Sequence, residues 1–227
     1  MKISVVIPTF NEAHNLEANI RHLRQSAPPS STEIIVVDGS STDGTFEKAQ
    51  ALSDKALRSP QRGRANQMQH GAAAATGELL LFLHVDTFLP HNWYALLKDL
   101  WEKEKKVCLS AFSLGFNESG LIYRVISGLA NIRTRFTKVP HGDQAIAVRR
   151  KDFFEVGGFP PVPLMEEYYL CDKLKPRGEI HVLAATITTS SRRYKKKGPL
   201  FTSLRNSALV ILHYLGTPAE VLVRFYR

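Results

Sequence analysis

Glycine-rich phosphate loops are missing from this chain. No G-x-G-x-x-G follows its first apolar run and no Gly-Lys-Ser/Thr loop occurs, which excludes the usual dinucleotide fingerprint and the P-loop. Only two cysteines are present, Cys108 and Cys171. They lie far apart, show no metal-ligand spacing, and are expected to be free thiols in a reducing cytoplasm. No segment reaches the ~20 consecutive apolar residues that cross a bilayer. The opening MKISVVIPTF carries one basic residue and an apolar run cut by Pro8, so it is expected to be a first strand rather than a signal peptide. Acidic residues are in deficit, 21 against 30 lysines and arginines, for a net charge of +9. Phosphate-rich small molecules, nucleic acid and an anionic membrane surface are the partners such a balance suits. No motif for reading RNA or DNA accompanies the charge, so nucleic acid is not expected to be a partner.

What is present is a regular alternation. The 44% apolar content suffices for a sizeable core in 227 residues. The pattern predicts strands at Ile3–Ile7, Glu33–Val37, Lys55–Arg58, Leu79–Leu83, Val107–Phe112 and Gln144–Val148. Between them it predicts a helix capped by Asn11 with Leu16, Ile20 and Leu23 on one face, then helices ending near Leu52 and Thr76. Further helices are expected at Asn92–Lys105 and Leu121–Phe136, one ending before Gly157-Gly158, and one at Glu166–Lys175. Alternating strands and helices imply an α/β fold, a mainly parallel central sheet covered on both faces. One domain is expected over 1–199, followed by a C-terminal helical tail, 200–227. In that tail Leu200, Leu204, Ile211, Leu212 and Leu215 form a stripe, and Thr217, Pro218 and Glu220 start a second helix. Such a hairpin either packs on the domain or lies against a membrane, with Arg192 to Lys197 meeting lipid phosphates.

The stretch GELLLFLHVDTFLP holds a fully buried type of strand with His84 and Asp86 just beyond its carboxyl end, where ligand crevices of open α/β sheets lie. Asp38 ends the second strand and Glu12 lies just past the first. Acids on one sheet edge without a glycine-rich loop suit a divalent cation that neutralises substrate phosphates. Carboxylates suit Mg²⁺, and an imidazole shifts the preference toward Mn²⁺. Glu166-Glu167 reads either as a catalytic like-charge pair or as first-turn acids of a helix. His141 and Asp143 either line an acceptor site or form a polar turn. The Arg192–Lys197 cluster is either a solvated loop or a clamp over a diphosphate.

Four segments in order, VVIPTFNEAHNLEANI, IIVVDGSSTDGT, GAAAATGELLLFLHVDT and GGFPPVPLMEEYYLCDKLKPRG, resemble the family 2 glycosyltransferases of the GT-A fold over roughly residues 3 to 195. HGDQAIAVRR followed by GGFP resembles a bacterial subgroup of small single-domain members. The resemblance implies that Pro8, Thr9 and Glu12 cradle the nucleoside, that Asp38 contacts the base beside Gly39, and that Arg64 supplies a basic contact. It implies that Asp86, with His84, holds Mn²⁺ or Mg²⁺ against the diphosphate, and that Arg192 and Arg193 meet the same diphosphate. Glu167, preceded by Glu166, falls where the family has its acceptor-activating Asp, and His141, Asp143 and Gln144 fall on the acceptor side. The sequence departs from the family at three of these positions: His84 replaces the first Asp of the metal motif, Gly39 a second Asp, and Glu167 the shorter Asp.

The implied activity is inverting transfer of a sugar from a UDP- or GDP-sugar to an acceptor hydroxyl, lipid-linked or small-molecule, with a carboxylate general base. A nucleotidyltransferase is the alternative enzyme, although Thr9-Phe10-Asn11-Glu12 stands where that class carries a basic glycine-rich loop. A nucleotide-sugar-binding protein without turnover is the alternative outside catalysis. A cytoplasmic location is expected, with peripheral contact at the inner face of the membrane.

Overall fold

The computed structural model describes residues 1–226. The first half alternates as the pattern requires: β1 (Ile3–Thr9), α1 (Ala13–Ser26), β2 (Thr32–Asp38), α2 (Thr45–Leu52), β3 (Lys55–Arg58), α3 (Arg64–Ala74), β4 (Leu79–Phe82), β5 (Thr87–Phe88) and α4 (Trp93–Lys103). The second half continues with β6 (Val107–Ser113), α5 (Leu121–Thr137), β7 (Ile146–Arg149), α6 (Arg150–Glu155), α7 (Glu166–Leu174), β8 (Glu179–Thr186), β9 (Thr188–Thr189), α8 (Arg192–Lys197), α9 (Pro199–Tyr214) and α10 (Ala219–Tyr226).

Seven strands form one sheet in the order β3-β2-β1-β4-β7-β6-β8. Every pairing is parallel except those of β7, which runs antiparallel to both β4 and β6. The chain builds outward from β1 to β3, then returns to the other side of β1 as β4. Strand order therefore reverses between β1 and β4, the place where such sheets leave a crevice beyond the strands' carboxyl ends. A second ribbon pairs β5 with β9, Thr87 opposite Thr189, and their hydroxyls lie 2.9 Å apart.

Strand alternation divides the core into two layers. Ile3, Val5, Ile7, Ile34, Val36 and Leu81 join Leu16, Ile20 and Leu23 of α1 and Trp93, Leu97 and Trp101 of α4. Val6, Ile35, Val37, Leu80 and Phe82 face the other way, with Ala65, Met68 and Ala72 of α3 and Phe153 and Tyr168. Burying side chains of this size contributes about 1.5–3 kcal/mol each. Gly71 sets how closely α3 approaches: a Cβ there would sit 2.5 Å from Val6 Cγ1 and 2.8 Å from Val37 Cγ2. That close approach brings the start of α3 to the sheet's switch point.

Three sequence expectations need correction. Asn11 does not cap α1; it sits at φ 53, and its Oδ1 accepts from Thr42 N at 2.9 Å instead. The strand expected from Gln144 starts at Ile146, because residues 142–144 form a 3₁₀ turn. Strands β8 and β9 were not anticipated. β8 is a half-exposed edge strand of weak alternation, the kind that periodicity reads poorly. The tail does form two helices packed on the domain, yet Leu209, Ala219 and Leu222 make that contact, and the stripe Leu200, Leu204, Ile211, Leu212 and Leu215 faces solvent.

At the amino ends of the strands a buried polar knot ties β1, β2 and β4 together. Glu33 accepts from Ser4 Oγ at 2.5 Å and from Thr76 N at 2.8 Å, and pairs with Lys55 Nζ at 2.9 Å. Burial alone would raise the Glu33 pKa; the hydrogen bonds outweigh it and hold the carboxyl at about 2. A depressed carboxylate stabilises the fold above its unfolded pKa, and that contribution is lost as pH falls toward the folded value. Glu33→Gln is therefore expected to lower stability at pH 7 by about 3 kcal/mol. In urea titrations the deficit should shrink below pH 4.5; a deficit independent of pH would rule out the charge as its source.

Candidate active site

The carboxyl ends of β1, β2 and β4 open into a cleft walled by Pro8, Thr9, Phe10, Glu12, Gly39 and the start of α3. Local backbone is strained around it. Asn11 after β1, Ser40 after β2, Ala145 before β7 and Met165 before α7 all adopt positive φ without being glycine, a conformation that persists where surrounding structure enforces it. Thr9 O accepts from Gly39 N at 2.9 Å and from the Gln67 side-chain amide at 2.7 Å, and Val37 O accepts from the same amide at 2.8 Å. A Cβ at Gly39 would lie 3.1 Å from the Gln67 side chain, so a larger residue there requires that hydrogen-bonded amide to shift. At the cleft mouth the guanidinium of Arg62 lies over the Phe10 ring at 5.3 Å, a flat surface on which a nucleobase can stack.

Asp38 is a different case. It is fully buried and absent from the cleft wall. Its Oδ2 accepts from Ser40 N at 3.0 Å and Ser41 N at 2.9 Å, and its Oδ1 from Ser41 Oγ at 2.5 Å. Asp38, expected to contact a base, holds the loop after β2, with both acceptor oxygens used by Ser40 and Ser41.

The basic cluster after β9 forms helix α8 and lies over the cleft. Arg192 Nη2 donates to Glu12 Oε1 at 2.7 Å and lies 4.0 Å from Asp86 Oδ2. The β5–β9 ribbon makes this possible: β5 begins one residue after Asp86, β9 ends three residues before Arg192, and Ser190 N donates to Asp86 O at 3.1 Å. Asp86 is raised above the usual carboxylate range by burial and by Glu12, against the pull of Arg192 and Arg193. A carboxylate pair with one neutralising guanidinium fits a divalent cation that takes one protein carboxylate and draws its other ligands from substrate phosphates. Among the described residues no three His, Cys, Asp or Glu side chains form a complete cation cage.

His84 lines both the cleft and the neighbouring pocket, as Asp86 does. A Cβ on Gly142 would lie 3.1 Å from His84 Nε2, so the ring faces the 3₁₀ turn at residues 142–144. Burial, then Arg64 and Arg193, hold its pKa well below the usual histidine value, and Nε2 is buried without a partner. The expected metal ligand is therefore a neutral imidazole aimed at the second half of the site.

That second half is a pocket lined by His84, Asp86, Asp143, Glu167, Arg193 and Tyr194 and closed by α9 and α10. Glu166 and Glu167 begin α7, both buried, immediately after the strained Met165. Arg64 was expected to touch the nucleotide; its Nε instead donates to Glu166 Oε1, and its Nη2 lies 3.8 Å from Glu167 Oε2. It still reaches the cleft wall, so it joins both halves. Glu167 Oε1 accepts from Gly142 N at 3.1 Å, and Oε2 is buried with no hydrogen-bond partner. Burial, then the neighbouring Glu166 charge, push the Glu167 carboxyl up to about 7, with Arg64 opposing.

Asp143 presents a second orphaned buried oxygen, Oδ1, to the pocket. His141 accepts at Nε2 from Arg133, stands 2.8 Å from the Tyr168 hydroxyl, and is held neutral by burial and Arg133. Gln144, expected on the acceptor side, is buried outside the pocket; Thr134 Oγ1 and His141 N donate to its Oε1, and its amide donates to Phe112 O. Arg193 donates to the Tyr226 hydroxyl and stacks on that ring. Sequence reasoning missed Gln67, Phe10, Arg62, Arg133 and Tyr226, which have no signature until the fold gathers them.

Solved structures of similar shape exist. A mannosyltransferase from Pyrobaculum calidifontis in complex with GDP-Man and Mn²⁺ superposes with a TM-score of 0.67 at 20% identity, covering 92% of this chain and 61% of that one. Glucosyl-3-phosphoglycerate synthase from Mycobacterium tuberculosis, with Mn²⁺, uridine diphosphate and glucosyl-3-phosphoglycerate, gives 0.67 at 21% identity over 96% of this chain and 81% of that one. These likenesses establish the GT-A fold. In sequence, 91 residues are 36% identical to a dolichol-phosphate mannosyltransferase of Pyrococcus furiosus, 38% of this chain and 26% of that protein. Another 98-residue match, 32% identical, is to the glycosyltransferase AglE of Haloferax volcanii, 40% of this chain and 32% of that protein. The chain thus spans about a quarter to a third of these relatives' lengths. Residues 4–158 match the family described as Glycosyl transferase family 2, and with the family's motifs lying on one sheet edge of the family's fold, the chain belongs to glycosyl transferase family 2.

Proposed function

We propose that this chain transfers a sugar from a nucleoside-diphosphate sugar to an acceptor hydroxyl with inversion, using Glu167 as general base. The observation that supports the reading is Glu167 Oε2, buried without a hydrogen-bond partner in a pocket that meets the phosphate-side cleft at Asp86 and Arg193. A donor with its nucleoside against Thr9, Phe10 and Gly39 would bring its diphosphate to Asp86, Arg192 and Arg193. Asp86 would hold Mn²⁺ or Mg²⁺, which when bound neutralises the diphosphate and makes it a better leaving group. UDP- and GDP-sugars are the donor class, as in the solved relatives that hold GDP-Man and uridine diphosphate.

In the proposed step the acceptor oxygen forms a bond to the anomeric carbon while the bond from that carbon to the diphosphate oxygen breaks. The electron pair leaves with the nucleoside diphosphate, and the acceptor proton passes to Glu167. A base of this kind contributes typically 10²- to 10⁴-fold. His84 and Asp143, each with a buried orphaned atom on the same pocket, are placed to orient acceptor hydroxyls. Arg64 acts as a positioning residue that fixes the carboxylates. A base one methylene longer than aspartate is compatible with the site because Gly142 N holds its other oxygen.

Two measurements test this reading. Glu167→Gln is expected to lower kcat roughly 10²- to 10⁴-fold with unchanged affinity for the nucleoside diphosphate; retained turnover would move the base elsewhere, first to Glu166. In thermal-shift assays UDP or GDP at a hundredfold excess over Kd should add about 2.7 kcal/mol in Mn²⁺, and Asp86→Ala should remove the metal-dependent part of that gain. Equal shifts with and without Mn²⁺ in both proteins would discard the assignment of Asp86.

A further inference from the structure

Two helices of this domain turn an apolar face to solvent. In α5, Leu121, Val125, Leu129, Ile132 and Phe136 recur at spacings of four, four, three and four, one face of a helix, and all five are exposed, Leu129 by 63% and Phe136 by 85%. Besides Ala130 packed on the core and Tyr123 against Phe116, polar residues hold α5 to the domain. Asn131 Oδ1 accepts from Leu114 N at 2.7 Å and its amide donates to Leu114 O at 3.0 Å; Thr134, the one buried residue of α5, donates to Gln144 at 2.9 Å. Helix α9 repeats the pattern. Leu200, Leu204, Ala208, Ile211 and Leu215 follow the same spacing and face solvent, Leu215 by 75%, while Thr202, Arg205, Asn206, Leu209 and Val210 line the acceptor-side pocket. The two helices touch each other. Apart from Phe10 and Phe154, every large exposed apolar side chain of the described residues lies in α5 or between residues 200 and 225.

Charge separates the occupants such a face could have. No aspartate or glutamate occurs from Ser119 to Gly142 or from Ile180 to Ala219. Arg124, Arg135 and Lys138 are exposed on and after α5, and Lys196 just before α9. An apolar stripe flanked by cations and free of carboxylates is the composition of a helix lying in a lipid headgroup layer. A second copy would set these cations against themselves.

We propose that the outward faces of α5 and α9 dock this chain on an anionic lipid surface, aliphatic side chains entering the interface and the flanking cations meeting lipid phosphates. Helix α9 then has the bilayer on one side and the acceptor-side pocket on the other. On the transferase reading above, an acceptor carried by the membrane reaches Glu167 from that side.

Co-sedimentation with vesicles, without nucleotide, tests the docking. The full chain should bind vesicles of phosphatidylcholine with phosphatidylglycerol and not phosphatidylcholine alone, with affinity falling as salt rises. Leu129→Glu with Leu204→Glu, both at exposed positions, should weaken binding roughly tenfold or more; Arg124→Gln, an exposed cation of α5, should weaken it roughly fivefold. The thermal shift by nucleoside diphosphate should be unchanged in these variants, which separates failure of docking from failure of the donor site. Three results would overturn the proposal: no binding to either vesicle, binding unaffected by the leucine changes, or wild-type self-association that the leucine changes abolish without any vesicle binding.

Discussion

One guanidinium holds the two halves of this site together. Arg64, at the first turn of α3, is shared between Glu166 and Glu167 at the first turn of α7. Burial would make it easier to deprotonate, and the two carboxylates more than reverse that, keeping it charged. Two adjacent buried carboxylates cannot both ionise without such a partner, and removing one member of a buried ion pair costs about 3–5 kcal/mol. The same contact fixes the phosphate-side cleft, walled by the start of α3, relative to the pocket that holds the base. Its position depends on packing further down: Gly71 lets α3 lie close on Val6 and Val37, and the left-handed Met165 aims the first turn of α7.

Around that pair, charges sort by environment. On the pocket side burial dominates, so His84 and His141 stay neutral and the Glu167 carboxyl rises toward neutrality. On the cleft side the acids of β1 and β4 face Arg192, brought 180 positions along the chain to Glu12 by the β5–β9 ribbon. Helix α9 closes the pocket with its inner face, α5 is hydrogen-bonded to the domain through Asn131 and Thr134, and both helices turn an apolar face to solvent.

Much of this was legible in the sequence. Strand runs such as Leu79–Phe82 and the helical spacing of Leu16, Ile20 and Leu23 are local signals, and the four motifs placed Glu12, Asp86 and Glu167 at the site. What the sequence did not show was which partners each side chain would find. Asp38 is held by its own neighbours Ser40 and Ser41 through both oxygens, a local turn that periodicity does not read. Arg64 reaches the cleft wall yet also pairs with Glu166, 102 positions away, and Gln144 is drawn to Phe112. His84 lies with Asp86 on both the cleft and the pocket, but its Nε2 faces the turn at residues 142–144. The apolar stripe of the tail was visible in sequence; its orientation was not, because periodicity identifies a face without saying what covers it.

The protonation of Glu167 is the most direct test of how the site works. Selective ¹³C labelling of glutamate, with Glu167→Gln to assign the resonance, allows its side-chain carboxyl to be titrated by NMR in the ligand-free protein. The buried, Glu166-flanked carboxyl should titrate with an apparent pKa of about 7, so that it is protonated and unable to accept a proton at lower pH and available as a base above it. A midpoint in the ordinary glutamate range near 4.3 would contradict the central assignment, since a solvated carboxylate at that position would have no special standing as the base.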